Sequence, residues 1–341
     1  MPTLSFHREW RFSVALATVL VLLAAGGCKR VSAGRPKLLP EKTPPGLWSE
    51  QQIQKGWITV TVGLPHRGEP PYPVVMSPIV PAHTLLERGI GIVRWKTNWA
   101  ALSAIEPSGS AKSRETPRPG KARARPRAEK AGGGATVGLW LLREDRAGIV
   151  GRTYFRLITN EATRSVPGVL DYLQTRSDID SDRIAITGSS TGGFTALQAL
   201  ASEPRLAAAA VRVTCGDYRI FLQSSSLALD DQDRWLVDGR MMLDPAYDAE
   251  IEAIEPLSHA DALPPRPLLL VTGSDDRAIP AACVEATAEA FDEAYQRADV
   301  PGRFEWVEFE GQGHNLDEAA ELLVLAFLEK WLAGPPSARA R

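Results

Sequence analysis

The chain has 341 residues, 44% of them apolar, and its 39 Lys and Arg nearly balance 41 Asp and Glu, for a net charge of −2. That apolar content supports one large buried core or two smaller ones. The near-neutral balance excludes a chain-wide basic footprint for nucleic acid and gives no basis for acidic substrates.

The N-terminus departs from the rest. His7, Arg8 and Arg11 precede the apolar run Phe12–Ala25. The run falls short of the ~20 residues that span a bilayer, which predicts a signal peptide over residues 1–27. The small residues before Cys28 resemble a bacterial lipobox, and this implies a lipidated cysteine as the mature N-terminus. Ordinary secretion and a retained anchor are the other two outcomes. Residues 28–56 begin with a stretch rich in Pro, Lys and Gly and read as a tether. Lys29 does not resemble the aspartate that marks inner-membrane retention, so a lipid-anchored envelope protein, at the outer rather than the inner membrane, is expected.

Short β-rich apolar runs between turn residues predict strands at Ile58–Val62, Val74–Met76, Ile90–Arg94, Ile184–Thr187, Ala209–Val213, Leu268–Thr272 and Phe304–Phe309. Helical patterns lie at Thr163–Thr175, Gly193–Ala201, Ala281–Arg297 and Asp317–Leu332. Apolar strands alternating with helices predict a mostly parallel sheet covered on both faces, with the functional loops at the carboxyl ends of the strands. The domain is expected over 57–332, with a tail at 333–341. Residues 108–134 carry Lys112, Arg114, Arg118, Lys121, Arg123, Arg125, Arg127 and Lys130 against Glu115 and Glu129. With almost no large apolar residue, they predict a disordered basic insertion. It reads either as a solvated loop or as a contact for anionic envelope polymers. Residues 214–254, with Tyr218, Phe221, Leu222, Leu227, Trp235, Met241 and Met242, predict a short cap. These side chains read equally as an apolar substrate wall or as packing against the sheet. Cys215 and Cys283 read as two buried thiols or, in an oxidising compartment, as a disulfide.

The chemistry is concentrated in three places. Gly188-Ser189-Ser190-Thr191-Gly192 follows an apolar strand and opens a helix, a G-x-S-x-G turn that stands a serine hydroxyl clear of the backbone. Gly273-Ser274-Asp275-Asp276 follows the strand Leu268–Thr272 and offers an acid that can orient a histidine. Gly311-Gln312-Gly313-His314-Asn315 follows the last strand and offers a base in an open turn. The first amide of the helix, at Thr191, can bind a developing oxyanion.

In this order the chain resembles an α/β-hydrolase, and within that superfamily it is similar to dienelactone-hydrolase-like and prolyl-oligopeptidase-like domains. The stretch Asp178-Ile179-Asp180-Ser181-Asp182-Arg183-Ile184-Ala185-Ile186-Thr187-Gly188-Ser189-Ser190-Thr191-Gly192-Gly193 carries the resemblance, with the acid and Gly-x-Gly-His blocks. The resemblance implies Ser190 as nucleophile, His314 as base and then acid, and Asp276 as the orienting carboxylate. Asp276 is favoured because Ile279-Pro280 follows at the family spacing; Asp275 and Asp217 are the alternatives. His66, His83 and His259 are assigned structural or surface roles, with His83 nearest the predicted oxyanion loop. Where relatives place a His-Gly motif, this chain has Met76-Ser77-Pro78-Ile79-Val80. Pro78 has no N–H, so Ile79 is the expected second oxyanion donor beside Thr191. Serine hydrolysis of a carboxylic ester, thioester or amide follows, through an acyl-enzyme and without a metal or cofactor. A stand-alone peptidase is the nearest alternative, and a non-catalytic envelope lipoprotein is the alternative of another class. The sequence gives no oligomeric state.

Overall fold

The computed structural model describes residues 29–32, 48–55, 58–66, 68–97, 161–224 and 245–333. Their strands are β1 (Lys29–Ser32), β2 (Trp48–Lys55), β3 (Ile58–Pro65), β4 (Tyr72–Met76), β5 (Gly91–Thr97), β6 (Ile179–Ser189), β7 (Ala208–Arg212), β8 (Leu268–Gly273) and β9 (Phe304–Glu310). The helices are α1 (Ala82–Glu87), α2 (Val166–Leu173), α3 (Thr191–Ser202), α4 (Tyr218–Ser224), α5 (Pro245–Ile254), α6 (Ala281–Arg297) and α7 (Glu318–Leu332).

These strands form one nine-stranded sheet in the order β1-β9-β8-β7-β6-β4-β5-β3-β2. β3 runs antiparallel to both β2 and β5, while the pairs from β5 through β4, β6, β7, β8 and β9 to β1 are parallel. Successive strand residues point to opposite faces, so a strand covered on both sides must be apolar throughout. In β7 and β8, Ala209, Val211, Leu268 and Leu270 join a core with Phe194 and Leu197 of α3 and Leu170 of α2. Their neighbours Ala208, Ala210, Leu269 and Val271 join a second core with Leu85 of α1 and Leu323, Val324 and Phe327 of α7. Each fully buried Leu, Ile or Phe contributes about 1.5–3 kcal/mol relative to exposure. The result is the mostly parallel, doubly covered sheet that the alternation of strands and helices predicts, and it has the α/β-hydrolase fold that the resemblance implies.

Polar residues also anchor β6. Asp180 is fully buried and accepts from Arg183 Nε at 2.7 Å and from the Asp182 amide at 3.1 Å. Arg183 donates onward to the Leu332 carbonyl at 3.1 Å, tying the start of β6 to the end of α7. The Asp-x-x-Arg spacing is therefore a structural staple. A buried ion pair of this kind costs ~3–5 kcal/mol when one partner is removed.

Some expectations are corrected, and two that the sequence leaves open, the cap aromatics and the cysteine pair, are decided. Lys29–Ser32 and Trp48–Lys55 fall within the expected tether, yet they pair with β9 and β3 as the two edge strands. Edge strands need only backbone pairing along one side, so they carry little apolar signal. The helix expected over Thr163–Thr175 begins as a π-helical turn, Glu161–Ser165, before α2. In the cap region, Tyr218 and Phe221 are buried against Phe194, with ring centroids 5.5 and 4.8 Å away. They pack against α3 and form no substrate wall. Cys215 and Cys283 form a disulfide with Cα atoms 5.9 Å apart, joining the exit of β7 to the first turns of α6. The expected signal peptide, Cys28, the basic insertion, the tail from 334 onward, Leu227, Trp235, Met241 and Met242 lie outside the described residues, as does the Leu222 side chain. Among the described residues no helix is long and apolar enough to cross a membrane.

Candidate active site

Strand β6 carries Gly188 and Ser189 to the carboxyl edge of the sheet, where Ser190 adopts φ 55° and ψ −122° before α3 begins. A positive φ is uncommon for a residue with a side chain and costs on the order of 1–3 kcal/mol. Here it lifts the hydroxyl off the sheet. The bend requires glycine at 188, because a Cβ there would lie 2.0 Å from the Gly192 carbonyl oxygen. At Gly193 a Cβ would lie 2.7 Å from Thr214 Cβ, so α3 packs close to the exit of β7. The Ser190 amide is held by the Arg212 carbonyl at 3.0 Å. The amide of Thr191 comes first in α3 and lies outside the helix's own hydrogen-bond ladder.

Two further loops converge on Ser190. After β8, Asp276 turns inward and is 8% exposed. Its Oδ1 accepts from the amides of Ala278 and Ile279 at 2.8 and 3.0 Å. Its Oδ2 lies 2.8 Å from His314 Nδ1, and His314 Nε2 lies 2.9 Å from Ser190 Oγ. The carboxylate can only accept, so the proton resides on Nδ1 and leaves Nε2 free to accept from the serine hydroxyl. A serine, an imidazole and a buried carboxylate linked in this sense can transfer the serine proton as an alkoxide forms.

The histidine loop is fixed from both sides. Gly311 N donates to Ser274 Oγ at 2.8 Å and Asp275 N to the Gln312 carbonyl at 2.9 Å, joining the histidine loop to the acid loop. Gln312 and Asp317 bond reciprocally, with Nε2 to Oδ2 at 2.8 Å and the Asp317 amide to Oε1 at 2.9 Å. Asp317 also caps α7 through the Ala319 amide at 3.0 Å. The sequence carried one readable signal for this clamp, the Asp317 N-cap at a helix start. Gln312 carried none.

The expected alternatives stand elsewhere. Asp275 is exposed and receives Ser274 Oγ at 3.3 Å, while Asp217 caps α4 through the Ile220 amide at 2.7 Å. Neither is the carboxylate on His314. His83 lies on α1 with Nε2 3.0 Å from Thr84 Oγ1, His259 Nε2 contacts the Ala253 carbonyl at 3.1 Å, and His66 is exposed at the end of β3. Ile79 follows β4, and its amide donates to Thr187 Oγ1 at 3.3 Å. Nothing in the sequence singles out Thr187.

No curated protein matches the chain. Among solved structures, a Thermus thermophilus protein is 19% identical with TM-score 0.54, over 84% of this chain and 99% of its own. The puromycin-hydrolysing peptidase of Mycobacterium tuberculosis is 18% identical with TM-score 0.52, over 86% of this chain. The chain spans 41% of that peptidase's length. A glucuronoyl esterase from Solibacter usitatus is 12% identical with TM-score 0.51, over 93% of this chain and 92% of its own. At these identities the likeness is one of fold. The sequence match is more specific, since the model described as the prolyl oligopeptidase family covers residues 161–334, from the turn before α2 to the end of α7, and includes Ser190, Asp276 and His314. That match takes in half of the chain, which therefore belongs to the prolyl oligopeptidase family of serine hydrolases.

Proposed function

We propose that the protein hydrolyses carboxylic esters through an acyl-enzyme, with Ser190 as nucleophile, His314 as general base and then acid, and Asp276 as the group that orients the imidazole. The observation carrying this reading is the continuous relay from Ser190 Oγ to His314 at 2.9 Å and from His314 to Asp276 at 2.8 Å. His314 Nε2 takes the Ser190 proton as Oγ adds to the carbonyl carbon. The amides of Thr191 and Ile79 receive the oxyanion, a contribution worth about 100- to 1000-fold in turnover per donor. His314 then protonates the leaving alkoxide, and a water activated by the same nitrogen releases the acid.

Esters are preferred over amides on chemical grounds. An alkoxide leaves more readily than an amine, so an ester asks less of the oxyanion site. The Ile79 amide here is engaged by Thr187 at rest, which suits the less demanding substrate. A peptidase is the second reading, favoured by the family match over residues 161–334. Nitrophenyl esters of rising acyl length, set beside peptide nitroanilides, separate the two. Ester turnover that Ser190→Ala abolishes is the expected result. Turnover of anilides alone would reassign the enzyme as a peptidase, and turnover of neither would favour a non-catalytic envelope protein.

We propose further that the protein is exported and anchored through a lipid on Cys28. The Cys215–Cys283 disulfide supports an oxidising compartment. Cys28→Ser is expected to move the protein from the membrane to the soluble fraction, and retention in the membrane would count against a lipid anchor.

A further inference from the structure

Thr187 lies on β6 just ahead of Ser190 and is 1% exposed. Its hydroxyl is used twice. It donates to the Ser77 carbonyl at 2.7 Å and accepts from the Ile79 amide at 3.3 Å. A hydroxyl has one proton and two lone pairs, so both bonds form together. Ser77 sits at φ 52° where the chain leaves β4, and its own amide donates to the Val93 carbonyl at 2.8 Å. Pro78 contributes no N–H. Ile79 thus carries the next amide beyond Ser77, and Thr187 grips the turn on either side of the proline.

We propose that Thr187 is a positioning residue for the oxyanion site, a role that rests on the ester-hydrolase reading above. The 2.7 Å bond to Ser77 fixes the turn to the strand that carries the nucleophile. The 3.3 Å bond holds the Ile79 amide in place at rest and lies beyond the usual range for N–H···O bonds. A negatively charged oxygen draws a hydrogen bond roughly twice as strong as a neutral one. The developing oxyanion therefore captures the Ile79 amide, whereas a ground-state carbonyl does not displace the hydroxyl. An interaction made only in the transition state acts on kcat and leaves KM alone. Thr187 itself is buried and touches no substrate.

The test compares Thr187→Val with Thr187→Ser in the full chain, using a nitrophenyl ester and a trifluoromethyl ketone that mimics the tetrahedral adduct. Thr187→Val keeps the shape and removes the hydroxyl. It is expected to lower kcat by about 10- to 100-fold, as for a donor displaced by about 1 Å, with KM and the pH profile held. Ketone affinity falls in the same proportion. Thr187→Ser restores the hydroxyl and brings kcat back to within about 3-fold of wild type. If Thr187→Val does not fold, Thr187→Ala removes the hydroxyl without adding a second methyl and gives the same readout. Unchanged kcat in the hydroxyl-free variant, a loss confined to KM, or a Thr187→Ser as slow as it would overturn the role. A wild type that neither turns over esters nor binds the ketone overturns the ester-hydrolase reading and this role with it. An active wild type with an unaffected Thr187→Val overturns the role alone.

Discussion

Replacing Asp276 with asparagine isolates what the carboxylate does. The two amides of Ala278 and Ile279 both donate to Oδ1 at 2.8 and 3.0 Å. In Asp276→Asn only the carbonyl oxygen can accept them, and turning the amide round would leave these buried donors unpaired at about 1–3 kcal/mol each. The NH2 group therefore faces His314 Nδ1 where Oδ2 stood, 2.8 Å away. Nδ1 must then accept, which moves the imidazole proton to Nε2, and Nε2 now donates to Ser190 Oγ. The geometry survives while the proton sits on the wrong nitrogen. A wrong tautomer of this kind lowers kcat by about 10⁴-fold, equivalent to about 5 kcal/mol of transition-state stabilisation. Asp275→Asn and Asp217→Asn are expected to retain activity, because neither carboxylate contacts the imidazole. The assay is kcat/KM on a nitrophenyl ester, with thermal unfolding as a check on the fold. A loss below about 10-fold in a folded Asp276→Asn, or an equal loss in Asp275→Asn, would refute the reasoning.

Two predictions concern stability. The Cys215–Cys283 disulfide closes a loop with a sequence separation of 68, for which chain entropy gives about 4 kcal/mol. Reductant or Cys283→Ala should lower the unfolding midpoint in urea accordingly, and thiol titration of the denatured protein should find both sulfurs unreactive until reduced; two free thiols at the outset would overturn the pairing. At low pH, Glu203 is held below its ordinary value of 4.5 chiefly by hydrogen bonds from the Arg205 guanidinium, against the opposing effect of burial. Asp178 is held below 3.8 in the same way by Arg176. A depressed carboxylate stabilises the fold above its unfolded value, and that contribution is lost as pH falls through the folded value. The contribution of these two pairs should therefore be lost on acidification below about pH 4.5, and Arg205→Gln should flatten the acid side of the stability profile. An identical acid profile in the variant would rule out the pair as its source.

How far the sequence could be read depended on the range of the interaction. The inner strands were legible because burial on both faces demands continuous apolar runs such as Leu268–Thr272. The candidate site was legible because each of its three side chains sits in a turn of required composition at a strand end. The edge strands β1 and β2 were not legible, since pairing along one side asks nothing of Trp48–Lys55 beyond a backbone. Thr187 looked like one more strand residue, because its partners Ser77 and Ile79 lie 110 and 108 residues away. Tyr218 and Phe221 had the composition of a substrate wall, and only the position of Phe194 shows that they belong to the core. The disulfide was undecided for the same reason, since the approach of Cys215 to Cys283 depends on how the exit of β7 meets α6.

Ser190 is proposed above as a nucleophile made reactive by His314 and Asp276. A fluorophosphonate probe tests it directly, because a serine whose proton is being removed attacks the phosphorus far faster than an ordinary hydroxyl does. Intact mass should show one adduct per chain, peptide mapping should place it on the segment holding Ser190, and Ser190→Ala and His314→Ala should remain unmodified. An adduct on another residue, or equal labelling of wild type and Ser190→Ala, would show that Ser190 is not that nucleophile.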